Sequence, residues 1–362
     1  MTRHRTLKFA ATVASRMISM PSVLRIGDVA AEPGQIAHGH ATWVELRDGT
    51  RVYLPVILVN GQHDGPRVVI NAATHPTELV GHAAVQMLIK RIDPQKLEGS
   101  MVAFPISNPL GMQFGEYVTP HDYVNMYVAY PGSKQGTITS RLANFIWENA
   151  SKDADLVMDV HENVKPCLQF SFVGFSRNKA VEKRALDLAH AFGLTVIRPK
   201  GKLALAGMKS GDIEYTDACM ANGVPAFTPE LEGATDITFD ENWASVRVGV
   251  RGLMNVLKKL RMVPGTVERQ TDVKVFQGNF TFFGMAVANR GGIVNRLVDV
   301  GVKLKKGTVI AKVLNPYGEE LENISMPVDG YVWGWNIGSP PNFNWTVQTG
   351  DSIAFIYQDA KV

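Results

Sequence analysis

Cysteine is scarce in this chain: Cys167 and Cys219 are the only two among 362 residues, far apart and without ligand-type spacing. That argues against a disulfide scaffold and for a reducing compartment. Long apolar runs are missing as well, and no stretch approaches the ~18–20 apolar residues of a membrane span. The N-terminus, MTRHRTLKFAATVASRMISM, is basic and then mildly apolar, but Thr12, Ser15 and Arg16 interrupt the apolar part, which makes it a poor secretory segment. We therefore expect a cytoplasmic protein, with residues 1–39 forming an N-terminal arm or strand. Neither sign of charge dominates: 37 basic against 34 acidic residues leave a formal +3. No field for nucleic acid or membrane follows, so a small molecule is the expected partner, and homo-oligomerisation is left open.

What is present is an ordinary globular mixture, 45% hydrophobic and 20% charged, long enough for more than one domain. Residues 40–60 alternate apolar and polar around Asp48-Gly49, the pattern of a β-hairpin. RVVINAAT, SMVAFPIS, DADLVMDVH, TVIRP and VPAFTPEL read as buried strands. Between them, ELVGHAAVQMLIKRI places apolar residues at 79, 80, 83, 84, 87 and 88, which is helical spacing. SRLANFIWENAS, KAVEKRALDLAHAFGL with Gly193 at its end, and ASVRVGVRGLMNVLKKL also read as helices. The alternation predicts an α/β layered domain over 40–270 with a mostly parallel central sheet. From about residue 270 the texture changes to short strands separated by Gly and Asn-Pro turns. Residues 271–362 are expected to form a small all-β domain that resembles the lipoyl or biotinyl barrel-sandwich, although no hairpin tip presents a clear modifiable lysine.

The candidate chemistry sits at strand ends. His75 and Glu78 follow VVINAA, and His161 closes DLVMDVH. In open α/β sheets, ligands gather at the carboxyl edge of the strands. Two histidines and one carboxylate with an open fourth position form a known catalytic zinc set. Asp159, two residues before His161, faces the same way and can accept a hydrogen bond from a ligand imidazole. Glu230 and Glu232 end another apolar strand, where a carboxylate beside the metal can move protons. Singly, each residue has a plain explanation: a glutamate in the first helical turn suits the helix dipole, and a strand-end histidine is commonly a loop residue. Jointly they point to a metal site.

These motifs resemble the succinylglutamate desuccinylase/aspartoacylase family, which shares the zinc carboxypeptidase fold, over residues 40–362. The family's His-Gly-Asp-Glu stands here as His75-Pro76-Thr77-Glu78, its Asp-Leu-His as Asp159-Val160-His161, and its Thr-Pro-Glu-Leu as Thr228-Pro229-Glu230-Leu231. Asn108-Pro109 after the second strand also fits. The resemblance implies one Zn²⁺ held by His75, Glu78 and His161, Glu230 as general acid/base, and hydrolysis of the amide bond of a small N-acylated amino acid or amine. One segment departs. Where the family carries an Asn-Arg pair that grips the substrate carboxylate, DYVNMYVAYPG places Tyr127 and Val128. Neither can replace a bidentate guanidinium. Another arginine (Arg141, Arg177 or Arg290) substitutes, or the substrate lacks that carboxylate, or the protein holds zinc without turnover as a binding or scaffold protein. A carboxypeptidase-like peptidase is the related alternative. Tyr127 either offers a phenolic O–H to an oxyanion or simply packs.

Overall fold

The computed structural model describes residues 22–198, 213–233, 243–336 and 345–360, so most of the expected N-terminal arm lies outside the described residues. A short hairpin, β1 (Leu24–Ile26) and β2 (Val29–Ala31), turns at Gly27, whose φ of 55° favours glycine. Its apolar side chains join the main core. Next comes the expected hairpin, β3 (Gln35–Glu45) and β4 (Arg51–Asn60), with β3 running straight through positions 39 and 40. The strand β5 (His63–Ala72), helix α1 (Val80–Ile89) and strand β6 (Glu98–Phe104) follow, then a single turn α2 (Pro109–Met112). Helix α3 (Ile138–Ile146) continues into a π-helical turn at Trp147–Ser151. The remaining elements of this part are β7 (Leu156–Asn163), β8 (Phe170–Phe172), α4 (Lys179–Phe192), β9 (Thr195–Ile197), α5 (Tyr215–Ala221), β10 (Ala226–Glu232) and α6 (Ala244–Lys259).

Eight strands form one sheet in the order β3-β4-β6-β5-β7-β10-β8-β9. The sheet is mixed. Its middle, β6-β5-β7-β10, is parallel, whereas β3-β4, β4-β6 and β10-β8 pair antiparallel. The edge pair β8-β9 is parallel too, so four of the seven pairings run parallel. Apolar runs report burial on both faces and carry no information on direction, which is why they do not foretell the antiparallel pairings beyond the expected hairpin. Helices α1, α4 and α6 pack side by side on one face. Val160 points to that face, where Gly81 lets α1 approach: a Cβ there would lie 2.6 Å from the Val160 carbonyl oxygen. Its neighbours Asp159 and His161 therefore point to the other face.

Beyond α6 no further helix occurs among the described residues. A strap crosses back over the main core: Gln270 donates to the carbonyls of Phe192 and Val248, and Phe276 N–H donates to Thr195 Oγ1. Then β11 (Phe280–Val287), β12 (Gly292–Arg296), β13 (Lys303–Leu304), β14 (Val309–Leu314), β15 (Glu320–Ser325), β16 (Gly330–Trp335), β17 (Thr346–Val347) and β18 (Ser352–Asp359) make two four-stranded antiparallel sheets, β11-β18-β16-β13 and β15-β14-β12-β17. The first docks on the main sheet. Leu168 N–H donates to Trp333 O at 2.7 Å and Trp335 N–H to Pro166 O at 3.0 Å. Leu168, Phe170 and Ile197 share one buried cluster with Phe280, Tyr331, Trp333 and Tyr357. Among the described residues no helix is long and apolar enough to cross a membrane.

Candidate metal centre

The parallel register sets the site. Asn71 lies beside Asp159 and Ala72 beside Val160, while Glu230 is the Cα partner of His161. β5 stops at Ala72, and the chain leaves through Ala73 at φ 48° to reach His75. Glu78 N–H then donates to His75 O at 2.9 Å, a turn that sets both side chains over the ends of β5 and β7. β7 runs two residues past His161, since β10 pairs with it as far as Asn163.

His75, Glu78 and His161 converge, with their ligand atoms all within 4.8 Å of one another. Glu78 Oε1 is 2.8 Å from His75 Nδ1, and Glu78 Oε2 is 2.9 Å from His161 Nδ1. The far nitrogens are tied as well. His161 Nε2 lies 2.9 Å from Asp159 Oδ2, and Asp159 Oδ1 accepts from Thr74 Oγ1 at 2.8 Å. His75 Nε2 lies 3.1 Å from Asn125 Oδ1, an oxygen that also accepts from Tyr127 N–H at 3.0 Å. Both Nε2 atoms face acceptors, so both must carry their proton. A neutral ring then has only a lone pair at Nδ1, and each Nδ1 faces a carboxylate oxygen. Such an arrangement calls for a cation between them, and two imidazoles with a carboxylate are a suitable donor set for a divalent transition metal.

The charges around the rings favour a positive charge at this spot, a proton on the His161 ring in the ion-free chain or a metal ion in its place. Burial drives the His161 pKa down, but the Asp159 and Glu78 charges prevail and hold it well above the usual imidazole value. Burial likewise raises Glu78, yet the charges and hydrogen bonds of His75 and His161 take it down to about 2. Glu230 behaves oppositely. Burial first, then the Glu78 and Asp159 charges, push it up to about 8 against the pull of His161 and a hydrogen bond from Asn163 Nδ2. A buried carboxyl with a raised pKa thus stands one strand over from His161.

Other sequence candidates are placed as follows. Asn108 is fully buried at the N-cap of α2. It accepts from Gly111 N–H and Thr119 Oγ1 and donates to Thr74 O, holding the loop under His75. Tyr127 is buried edge-on to His161, ring centroids 4.8 Å apart. Glu232 accepts from Cys167 N–H at 3.2 Å, further along β10. Arg290 occupies the exposed turn between β11 and β12, where its N–H donates to Glu322 Oε2. Arg141 lies exposed on α3 and donates to Gly136 O, and Arg177 is exposed ahead of α4. Among the described residues no hydrogen bond or ion pair brings any of these arginines to the cluster.

Three neighbours of the cluster carried no sequence signal of their own. Tyr117 stacks on His75 at 3.7 Å and 18°. Asn125, inside the departing DYVNM segment, orients His75. Glu214 Oε2 accepts from Tyr127 O–H at 2.9 Å. Their separation in sequence from the ligands hides them; only for Asn125 did the motif context offer a hint.

A metal donor set beside a buried acid, at the carboxyl edge of a mixed α/β sheet, is the equipment of a hydrolase that activates water. Comparison with known proteins supports a hydrolytic enzyme. The signature of the succinylglutamate desuccinylase/aspartoacylase catalytic domain matches residues 64–258, and the chain belongs to that family. N-α-acetyl-L-2,4-diaminobutyric acid deacetylase of Halomonas elongata is 22% identical over 307 residues, 84% of this chain and 85% of that protein. Among solved structures, a succinylglutamate desuccinylase from Silicibacter sp. TM1040 superposes with a TM-score of 0.74 at 18% identity, covering 92% of this chain and 99% of the other. The product-bound ectoine utilization protein EutE (DoeB) from Ruegeria pomeroyi gives 0.74 at 20% identity, covering 94% and 100%.

Proposed function

We propose that the protein is a Zn²⁺-dependent deacylase that hydrolyses the amide bond of a small N-acylated amino acid or amine. His75 Nδ1, Glu78 and His161 Nδ1 would hold one ion. Bound there, zinc supplies Lewis acidity that acidifies water and polarises a carbonyl. The chain's own residues do the rest. Asn125 and Asp159 fix the tautomers of the two histidines, leaving their Nδ1 lone pairs for the ion. Glu230, whose carboxyl burial pushes up to about 8 in the ion-free chain, would be ionised beside the bound cation, take a proton from the attacking water and return it to the departing nitrogen. The observation that carries this reading is the donor geometry, in which two imidazoles committed as Nε2 donors aim Nδ1 at one carboxylate. The Halomonas relative, named for removing an acetyl group from a small amino acid, supports the substrate class.

The same reading treats 40–270 as a zinc carboxypeptidase-like hydrolase domain, 271–362 as a β-domain docked against it, and residues 1–39 as an arm. It places the protein in the cytoplasm, which its two unpaired, buried cysteines support. The test combines metal analysis with turnover. Purified protein should contain zinc, lose hydrolysis on chelation and regain it with Zn²⁺. Glu230→Gln should retain the metal while kcat falls by about 10²–10⁴-fold. A zinc-replete wild type that hydrolyses nothing in a broad panel of N-acyl amino acids would leave the scaffold alternative standing.

A further inference from the structure

The shell around the cluster is lopsided in charge. Glu214 immediately precedes α5, a position from which a side chain ordinarily caps the helix, yet it makes no cap bond. Instead it reaches Tyr127, 87 positions earlier, and accepts its hydroxyl proton at 2.9 Å. That hydroxyl is steadied from behind by Thr228 Oγ1 at 3.4 Å, itself 3.1 Å from Thr216 Oγ1. Tyr127 therefore holds a half-buried carboxylate one phenol ring away from His161. Among the described residues neither Glu214 nor Glu230 has a lysine or arginine partner.

The aromatic walls extend the pattern. Tyr117 lies flat on His75, ring centroids 3.7 Å apart. A divalent ion would offset the ligand Glu78 and its neighbour Asp159, and among the described residues no lysine or arginine offsets Glu214. A second anionic group on the substrate would be desolvated among like charges, whereas an ammonium would meet a carboxylate and aromatic faces.

We propose that Glu214, positioned by Tyr127, is a specificity residue for a cation: the site takes N-acyl compounds that carry a second, protonated amine. The acyl half of this statement rests on the deacylase reading above; ammonium recognition rests on the Glu214–Tyr127 geometry.

Two readouts separate them. Calorimetry on the zinc-loaded full chain compares 2,4-diaminobutyrate, ornithine and lysine with norvaline and glutamate, and kinetics compare their Nα-acetyl derivatives. At least one diamino acid should bind about tenfold or more tighter than norvaline, with glutamate weakest, as expected for a desolvated charge pair. Glu214→Gln should erase that margin. Tyr127→Phe keeps the carboxylate but removes the hydroxyl that positions it, so the preference for ammonium should shrink without vanishing. Glu214→Asp, should the amide variant not fold, withdraws the carboxylate by one methylene and should move the optimum to the longer diamine. Hydrolysis with no ammonium preference, or a preference that survives Glu214→Gln, overturns the inference and leaves the deacylase reading intact. Glu214-dependent binding with no turnover of any acetyl derivative supports the inference and overturns the deacylase reading. Failure of every diamino acid to bind overturns the inference.

Discussion

Glu230 has two very different neighbours across the sheet. On one side β7 presents His161 as its Cα partner; on the other, β8 presents Phe170. The β7 flank is polar, and its ring nitrogens and carboxylates bind one another from Thr74 through Asp159 and His161 to Glu78 and His75. The β8 flank is aromatic. Phe170 stands edge-on to Phe172 and Trp333, with Tyr357 6.1 Å away by ring centroid. The first flank concentrates charge and the second excludes water. A carboxyl between them is stripped of solvent while facing like charges, so it keeps its proton far above the ordinary carboxylate range. One glutamate on a strand thus becomes an acid because of what two separate parts of the chain place beside it.

Breaking the polar flank should have the largest effect. His161→Ala removes a proposed ligand, so metal content and hydrolysis should both collapse. The metal-free variant should also lose about 3–5 kcal/mol, because Asp159 and Glu78 remain buried without their partner; metal analysis and urea denaturation check the two parts. On the aromatic flank, Trp333→Ala deletes a ring that is 1% exposed and should cost about 3–5 kcal/mol in the same denaturation assay, with metal content retained.

A pH experiment on chelated protein sharpens the contrast. Glu230 binds its proton more tightly in the folded state, about 8 against an ordinary 4.5. Its stabilising contribution is therefore full below about pH 4.5 and lost as pH rises through about 8, each tenfold gain in proton affinity being worth about 1.4 kcal/mol. Urea midpoints at the two ends of that window should diverge more for wild type than for Glu230→Gln. The smallest effect is expected at the seam itself. A Cβ at Gly334 would lie 2.8 Å from Val164 Cγ2 and 3.0 Å from Cys167 Cβ, so Gly334→Ala should destabilise by about 1–3 kcal/mol while leaving zinc in place. If it instead releases the metal, the two flanks are coupled more tightly than the hydrogen bonds between them imply.

Much of this arrangement is legible in the chain. The period of apolar residues marks α1, α4 and α6, and Asp48-Gly49 marks the first hairpin, since local periodicity and turn chemistry act over a few residues. His75, Glu78 and His161 are legible because each follows an apolar strand in a recognisable tripeptide or tetrapeptide. The short strand β8 is not among those read from the sequence, and the extension of β7 past His161 is hidden too, because both depend on which strand lies alongside. Arg290 illustrates the same limit. Its charge is visible in sequence, but only packing puts it in an exposed turn of the β-region.

Element types, donor residues and the family pattern are thus written in the order of residues, because all three are properties of neighbours along the chain. Packing in three dimensions was needed for Asn125 to orient His75, for Glu214 to reach Tyr127 across 87 positions, and for Phe170 and His161 to flank Glu230. Protonation and charge matching depend on distance and burial in space, and those exist only once the sheet has brought remote strands together.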